Sequence, residues 1–383
     1  MYWFPDELVE LEKSAVLGKI GKEDADVLFS KNILPVVRSM PGEFGLAGDD
    51  LDEQTLKCAH RMASTLMAYA FDLEPEEKEF DDDGYATEEE DEDLEKGMVP
   101  LADMLNANGD RNTYVYASCP RVHVSDVDRD QARLFYEKGS LVMKSLIPIP
   151  NGEEIFNDYG PLPRSDLLRR YGYITPNYTQ YDVVEVSRDL VIDIAKADLG
   201  LGDQSIQEGL SFLEDNDAIE DGYDITRVKS NERTLDIFQF ELKMLGLVLA
   251  LAALEPDLNS QNNKSRLHKS IEKDEFPPAW FHLMRAVVRR RQQEYGKPLD
   301  EDRVLLRDLK EKFAGGMFLG DYERKMKRRI MAVEVRVGEK EILANTLMVL
   351  EQADSSVAAV DASAGNKRSG DNELEDNTAR KRR

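Results

Sequence analysis

The segment Gly152–Tyr173, which reads GEEIFNDYGPLPRSDLLRRYGY, constrains the fold of this chain more than any other stretch. A glycine turn opens it, and Glu154–Asn157 is a short run that favours a β-strand. Pro161 and Pro163 then exclude a helix until Ser165, a residue type that caps helix N-termini well. The segment therefore predicts a strand, a break and a short helix in quick succession.

Two tyrosines lie at the two ends of this break. Tyr159 follows the strand and precedes Gly160, which adopts positive φ at little cost, and Tyr171 lies at the end of the short helix. A second stretch, Met98–Asn106, reads MVPLADMLN and lies upstream. We expect the two stretches to form two halves of one site, with both phenols facing it. The alternative is that the tyrosines only pack in the core, as aromatic side chains commonly do.

Three ordered motifs in these stretches carry a resemblance to a known family. They are VPLADMLNA at Val99–Ala107, GEEIFNDYG at Gly152–Gly160 and LLRRYGY at Leu167–Tyr173. Together they resemble the SET-domain protein-lysine methyltransferases, within the branch of the fungal ribosomal lysine N-methyltransferases and the plant Rubisco large-subunit methyltransferases. The resemblance covers most of Trp3–Leu350. It implies methyl transfer from S-adenosylmethionine to a lysine, and monomethylation of a lysine on a large-subunit ribosomal protein.

The resemblance also implies the fold and its division. We expect an α+β fold, with an incomplete SET β-core that carries a helical insertion and is followed by an α-helical C-terminal domain. The chain begins inside the insertion, so the first strand pair of the family, with its glycine-rich cofactor loop, is expected to be absent. The expected ranges are 1–180 for the SET domain (insertion 1–73, acidic loop 74–97, C-terminal core 98–180), 181–352 for a substrate-binding domain of the Rubisco methyltransferase type, and 353–383 for a disordered tail.

The family motifs imply roles for particular residues. Tyr159 is expected to be the catalytic residue, whose hydroxyl orients the lysine amine. The residues expected to bind the methyl donor are Ala68, Asn106, Ala107 and Tyr171. Those expected to line the substrate-lysine channel are Tyr69, Phe71, Tyr114 and, again, Tyr171. Ala107 stands where most family members have histidine, and the contact at that position is expected to come from the backbone.

A site built from phenols suits this chemistry. The attacking amine must be neutral, whereas a free lysine side chain has a pKa of ~10.4. Burial in an apolar channel and a nearby sulfonium charge both disfavour the ammonium form, so they lower that pKa. The remaining task is alignment, with the reacting atoms held about 3–3.5 Å apart. Hydroxyl groups can supply that alignment without a charged base.

Charge and composition exclude several classes of function. The chain has 383 residues and a formal net charge of −26. This charge disfavours binding to nucleic-acid phosphates and favours binding to basic partners. Its cysteines, Cys58 and Cys119, form neither a disulfide framework nor a zinc-binding pattern, and its four histidines are scattered, so we expect no metal site. The longest apolar run, Met244–Leu254, is far shorter than the ~20 residues of a membrane span. It predicts a buried helix and no membrane partner.

Two charged stretches lie outside these motifs. Glu74–Lys96 is dominated by acidic residues and is expected to be a disordered loop, either merely solvated or attracting a cationic substrate. Near the C-terminus, Lys367-Arg368 and the run Arg380–Arg383 resemble a bipartite nuclear localisation signal. The pattern indicates a nuclear import receptor as partner and a nuclear location, with the cytoplasm also open. A different class of function stays open as well, a catalytically inactive SET-derived protein that binds a basic partner.

Overall fold

The computed structural model of the 383-residue chain describes residues 3–45, 48–73, 95–108, 113–116, 136–137, 140–145, 148–157, 159–216, 218–229, 235–253, 267, 270–271, 273, 275–316 and 320–379. Packing divides the chain into two units. The first unit comprises residues 1–5 and 16–182, and the second comprises residues 6–15 and 183–383.

The elements of the described ranges follow the chain in this order. The α-helices are α1 Pro5–Leu8, α2 Lys22–Asn32, α3 Leu34–Ser39, α4 Leu51–Tyr69, α5 Arg164–Tyr171, α6 Arg188–Leu199, α7 Asp203–Glu214, α8 Phe240–Ala252, α9 Pro278–Gln293, α10 Leu299–Gly315 and α11 Asp321–Ala379. Short 3-10 helices occur at Val9–Leu11, Ala15–Leu17, Ala102–Met104 and Pro176–Tyr181. The β-strands are β1 Ala70–Leu73, β2 Glu95–Met98, β3 Asn106–Ala107, β4 Thr113–Tyr116, β5 Tyr136–Glu137, β6 Ser140–Ser145, β7 Phe156–Asn157, β8 Val183–Ser187 and β9 Gly222–Thr226.

The junction after α4 differs from the sequence-based expectation. Helix α4 ends at Tyr69 and the chain extends into β1, so the end of the expected helical insertion 1–73 is a strand. Phe71 therefore lies on a strand, opposite Gly97 of the antiparallel strand β2. Residues 95–97, expected to belong to the acidic loop, are part of this strand pair, because pairing with β1 satisfies their backbone groups. The rest of the expected loop, 74–94, lies outside the described residues.

Short strands form the remainder of the first unit. β3 and β7 pair in parallel, and β4, β6 and β5 form a three-stranded antiparallel sheet in that order. Tyr114 lies on β4, opposite Lys144 of β6. The side chain of Tyr114 lies outside the described part of the structure, so its expected place in the lysine channel stays a prediction.

The core of the second unit surrounds helix α8. Every residue from Leu242 to Ala250 is buried, which is the buried helix that the apolar run predicted. Trp280 of α9 is fully buried beside it, and its indole N–H donates to the carbonyl oxygen of Lys243 at 3.3 Å. A Cβ atom added at Gly246 would lie only 2.8 Å from Nε1 of Trp280, so this close approach requires glycine. Within the described ranges, no helix combines the length and apolarity that a membrane crossing requires.

Residues 6–15 pack in the second unit, although the sequence placed them in the helical insertion of the first. Cations of α11 hold them there. Arg328 pairs with Glu7 at 2.6 Å, and Arg336 donates to the backbone carbonyl of Glu10 at 2.5 Å. The sequence did not indicate this placement, because the partners of this segment lie as many as 326 residues further along the chain, beyond the reach of local patterns.

A buried ionic cluster lies between α10 and α11. Asp302 is fully buried and accepts hydrogen bonds from Arg336 at 2.7 Å and from Lys340 at 2.6 Å. Lys340 also donates to the backbone carbonyl of Lys297 at 2.7 Å. Burial alone would raise the pKa of Asp302, but the hydrogen bonds from the two cations lower it below its ordinary value. The carboxylate of Asp302 therefore offsets much of the cost of burying the two cations, and Glu10 and Glu12 add longer contacts with Arg336.

Helix α11 is longer than the sequence indicated. Its end was predicted near Gln352, with a disordered tail over 353–383, but the helical backbone continues to Ala379. The chain has no proline after Pro298, and alanine, the best helix former, recurs just beyond Gln352. The described backbone is therefore helical as far as Ala379. The basic run Arg380–Arg383 lies outside the described residues.

Candidate active site

Parallel pairing of β3 with β7 brings the two halves of the sequence pattern together. In this pair Asn106 lies opposite Phe156, and Ala107 lies opposite Asn157. The backbone N–H of Asn108 donates to the carbonyl oxygen of Asn157 at 2.9 Å and continues the pairing by one residue. Two motifs that are distant in sequence are therefore neighbours in space.

Tyr159 links the same two strands through its side chain. Its hydroxyl donates to the carbonyl oxygen of Leu105 at 2.8 Å, and its backbone N–H donates to the hydroxyl oxygen of Tyr178 at 3.3 Å. Burial and, after it, the neighbouring phenols raise the pKa of Tyr159 well above its ordinary value. The phenol therefore stays protonated at neutral pH. It can align a substrate through hydrogen bonds, but it is not a phenolate base.

Tyr171 stacks on Tyr159. Their ring centroids are 4.3 Å apart and the ring planes differ by 30°. Tyr171 is the last residue of α5, and Gly172 ends that helix with a φ of 81°, a conformation that favours glycine. Directly after this turn comes Tyr173, whose ring centroid lies 6.5 Å from that of Tyr171. The turn thus delivers two phenols to the neighbourhood of Tyr159.

The two β3 residues expected to bind the donor have different surroundings. Asn106 is exposed, and its side-chain amide donates to Oε1 of Glu154 at 2.6 Å. Ala107 is only 3% exposed and packs with Leu167 and Tyr178. Because the methyl group of Ala107 is buried in this cluster, a ligand contact at this position falls to its backbone.

The junction of α4 and β1 contributes to the same neighbourhood. Tyr69 is 46% exposed, and its phenol is close enough to add to the raised pKa values of Tyr159 and Tyr173, for which burial is the main cause. Ala68 and Phe71 occupy half-buried positions on either side of Tyr69 along the chain. The structure thus brings Tyr69 to the phenols, and the roles of Ala68 and Phe71 stay predictions.

Sequence reasoning did not single out Tyr173 or Tyr178, although Tyr173 shares the YGY run with Tyr171. The hydroxyl of Tyr173 is buried and completes no hydrogen bond with any described residue. Burial raises its pKa, and the nearby backbone N–H of Ala107 opposes that rise. Across the strand pair, Oδ1 of Asn157 is also buried and without a hydrogen-bond partner in the described chain.

Buried polar atoms in folded proteins almost always have a hydrogen-bond partner. The hydroxyl of Tyr173 and the amide oxygen of Asn157 both belong to residues that neighbour Ala107. A ligand with several hydrogen-bond donors and acceptors could form hydrogen bonds with both atoms. The residues present therefore fit a group such as S-adenosylmethionine, which carries an amine, a carboxylate and hydroxyls.

Two apolar residues of the VPLADMLNA motif are exposed. Leu101 is 78% exposed and Met104 is 75% exposed. Leu101 has a φ of 76° and precedes the single 3-10 turn Ala102–Met104. Residues three apart lie on the same side of a 3-10 helix, and here that side faces away from the described residues. The turn is too short to present a second, buried face.

Comparisons with known proteins show which proteins the chain is similar to. Residues 245–343 match the family model described as Rubisco LSMT substrate-binding. The chain is 30% identical over 241 residues to ribosomal lysine N-methyltransferase 4 of Saccharomyces cerevisiae, across 58% of this chain and 44% of that protein. It is 26% identical over 363 residues to N-lysine methyltransferase setd6 of Salmo salar, across 90% of this chain and 70% of that protein. The chain thus spans less than half the length of the yeast relative.

Solved structures show the same fold. A structure of the SET domain of LSMT bound to methyllysine and AdoHcy aligns with a TM-score of 0.51 and 19% identity, covering 92% of this chain and 67% of that one. A structure of Rubisco LSMT bound to sinefungin and monomethyllysine aligns with a TM-score of 0.50 and 18% identity, covering 92% and 66%. The predicted α+β fold, a SET core followed by a helical C-terminal region, is confirmed. Residues 245–343 thus match a Rubisco LSMT substrate-binding domain, and the chain is similar to proteins named as lysine N-methyltransferases.

Proposed function

We propose that this chain is an S-adenosylmethionine-dependent protein-lysine N-methyltransferase. The observation that carries the proposal is the convergence of the Tyr159–Tyr171 stack on β3, the strand that begins at Asn106. The relatives named as lysine N-methyltransferases support the same chemistry here. So do the AdoHcy, sinefungin and methylated lysine bound in the similar structures.

Each residue of the site then has a task. S-adenosylmethionine, when bound, supplies the methyl group. Asn106 and the backbone of Ala107 hold it at β3, with the ring of Tyr171 beside it. Tyr159 orients the lysine amine through its hydroxyl oxygen. Because the hydroxyl hydrogen is donated to Leu105, the oxygen lone pairs are available to accept from the amine N–H.

The lysine side chain enters beside Tyr69, which is the partly exposed phenol of the group. Phe71 and Tyr114 complete the channel wall, and Ala68 faces the donor. Loss of water in this channel, and the sulfonium charge of the bound donor, disfavour an ammonium ion, so the amine gives up its proton more readily there than in solution. The chain's contribution is therefore desolvation and alignment.

The substrate in this proposal is a basic protein, a large-subunit ribosomal protein monomethylated on one lysine. The net charge of −26 favours such a partner, and the substrate-binding domain at 245–343 offers a second contact surface. The similarity to ribosomal lysine N-methyltransferase 4 supports the ribosomal assignment. Import through Lys367-Arg368 and Arg380–Arg383, and a nuclear location, belong to the same proposal.

Methyl transfer to isolated large-subunit ribosomal proteins tests the proposal. The chain is incubated with S-adenosylmethionine carrying a labelled methyl group, and modified peptides are identified by mass spectrometry. We expect one monomethylated lysine, with Tyr159→Phe as the inactive control. Tight binding of a basic protein without any methylation would instead favour the inactive binding protein. A chain that neither binds nor methylates any of these proteins would refute the assignment altogether.

A further inference from the structure

The segment Arg164–Asp182 is closed at its two ends by a buried ion pair. Nε and Nη2 of Arg164 donate to the carboxylate of Asp182 at 3.0 and 2.6 Å, and the backbone N–H of Arg164 donates to the same group at 3.2 Å. The two side chains are only 11% and 8% exposed. Because a two-point arginine–carboxylate pair fixes orientation as well as distance, it ties the start of α5 to the end of the 3-10 helix Pro176–Tyr181.

Tyr178 lies on this 3-10 helix and is fully buried. Its ring packs in one cluster with Ala107 and Leu167, and its centroid lies 6.0 Å from that of Tyr181. Its hydroxyl oxygen accepts the backbone N–H of Tyr159 at 3.3 Å. The frame closed by the ion pair therefore presents a fixed acceptor to the backbone of Tyr159.

The local chain gives Tyr159 little restraint of its own. The preceding strand β7 is two residues long, and the following Gly160 has a φ of 85°, in the region where glycine is freest. The bond to the carbonyl of Leu105 holds the far end of the phenol. The bond to Tyr178 holds the backbone end. Together the two contacts determine the direction of the ring.

We propose that Tyr178 is a positioning residue that sets the orientation of the Tyr159 phenol, and through it the stack with Tyr171. It does so through its hydroxyl and without touching the substrate. The kinetic consequence rests on the proposed function, because it requires Tyr159 to contact the lysine amine. The structural consequence does not.

Amide hydrogen exchange of the full chain tests the structural consequence. Tyr178→Phe keeps the ring and removes the acceptor, so the Tyr159 amide should exchange about 5- to 10-fold faster, the ratio that one net hydrogen bond represents. Tyr223→Phe is the matched control, because Tyr223 is also fully buried and its hydroxyl accepts the backbone N–H of Glu220 at 3.2 Å in the second unit. It should leave exchange at Tyr159 unchanged. Equal exchange in Tyr178→Phe and the wild type would overturn the proposal.

A second variant covers the case in which Tyr178→Phe does not fold. Arg164→Lys keeps the charge but loses the two-point contact with Asp182, so the frame loosens. Faster exchange at Tyr159 is again expected. If the exchange rate of the Tyr159 amide stayed unchanged in Arg164→Lys, the Arg164–Asp182 pair would not hold Tyr178 in place as proposed.

A double-mutant cycle on turnover tests the kinetic consequence. Tyr178→Phe should lower kcat about 10-fold with little change in the KM for the donor, because a small misplacement of an aligning group is costly. If Tyr178 acts through Tyr159, the double variant with Tyr159→Phe should be no slower than Tyr159→Phe alone. If the double variant instead lost activity by the product of the two single-variant factors, the positioning role of Tyr178 would be overturned. A wild-type chain that transfers no methyl group would refute the proposed function, and the exchange result would still decide the role of Tyr178.

Discussion

Replacing Asp302 by asparagine tests the buried ionic cluster of the second unit. Asp302 is 0% exposed, and its oxygens lie 2.7 Å from a nitrogen of Arg336 and 2.6 Å from that of Lys340. Asparagine has nearly the same shape but no charge, so Lys340 loses its carboxylate partner and Arg336 keeps only longer contacts, with Glu10 at 3.6 Å and Glu12 at 3.9 Å. Breaking a buried ion pair in this way costs about 3–5 kcal/mol. That is a large part of the stability of an ordinary domain.

Urea unfolding measures this loss. The fluorescence of buried Trp280 reports on the second unit, and a Trp3→Phe background removes the other tryptophan. With an m value of about 2 kcal/mol/M, the unfolding midpoint should fall by about 1.5–2.5 M. Asp300→Asn is the matched control, since Asp300 is 92% exposed and pairs only at the surface with Arg303. An Asp302→Asn variant as stable as this control would refute the reasoning.

The same carboxylate predicts a pH dependence. Burial alone would raise the pKa of Asp302, but the hydrogen bonds from the two cations hold this pKa below its ordinary value in the folded protein. A lowered folded-state pKa contributes stability that is complete above the unfolded-state value of ~3.9 and is lost as the pH falls through the folded-state value. Below about pH 4, wild-type stability should therefore fall more steeply with pH than that of Asp302→Asn. Parallel curves would contradict the assignment.

Three further substitutions probe the core and the site. Gly246→Ala should destabilise the second unit by about 1–3 kcal/mol, because the added Cβ would lie 2.8 Å from Nε1 of Trp280. Gly315→Ala, where an added Cβ meets nothing within 4 Å, is its control in the same urea titration. In the site, Tyr159→Phe should lower kcat on the order of 10²-fold, as for the loss of one catalytic hydrogen bond, whereas Tyr171→Ala, which removes the ring beside the donor, should chiefly raise the KM for the donor. An active Tyr159→Phe beside an inactive Tyr171→Ala would move the catalytic role to Tyr171.

Local chemistry in the sequence was enough to predict the framework of the site. The two prolines before α5 and the glycine after Tyr171 set the ends of that helix, and both features act within a few residues. The strand at Glu154–Asn157 was also predicted, although only Phe156 and Asn157 pair as β7. Convergence of Tyr159 with Asn106 followed from the order of the motifs, and the parallel β3–β7 pair provides it.

What the sequence did not reveal depends on distant partners. Tyr178 reads as an ordinary aromatic residue until the fold places its hydroxyl at the backbone of Tyr159. The acidic segment 6–15 resembles any solvated helix start until the cations of α11 meet it in the second unit. Leu101 and Met104 have apolar side chains, but burial depends on a partner surface that local patterning cannot supply. These features appear only when the chain is folded.

Calorimetric titration of the chain with S-adenosylmethionine tests the central claim most directly. The claim is that the β3–β7 pair, with Asn106 at its edge and Tyr159 beside it, holds the methyl donor. We predict one binding site in the wild type, at least ~10-fold weaker affinity in Asn106→Ala through the loss of a hydrogen-bonding amide, and near wild-type affinity in Tyr159→Phe. No heat of binding in the wild type, or equal affinity in Asn106→Ala, would contradict the claim.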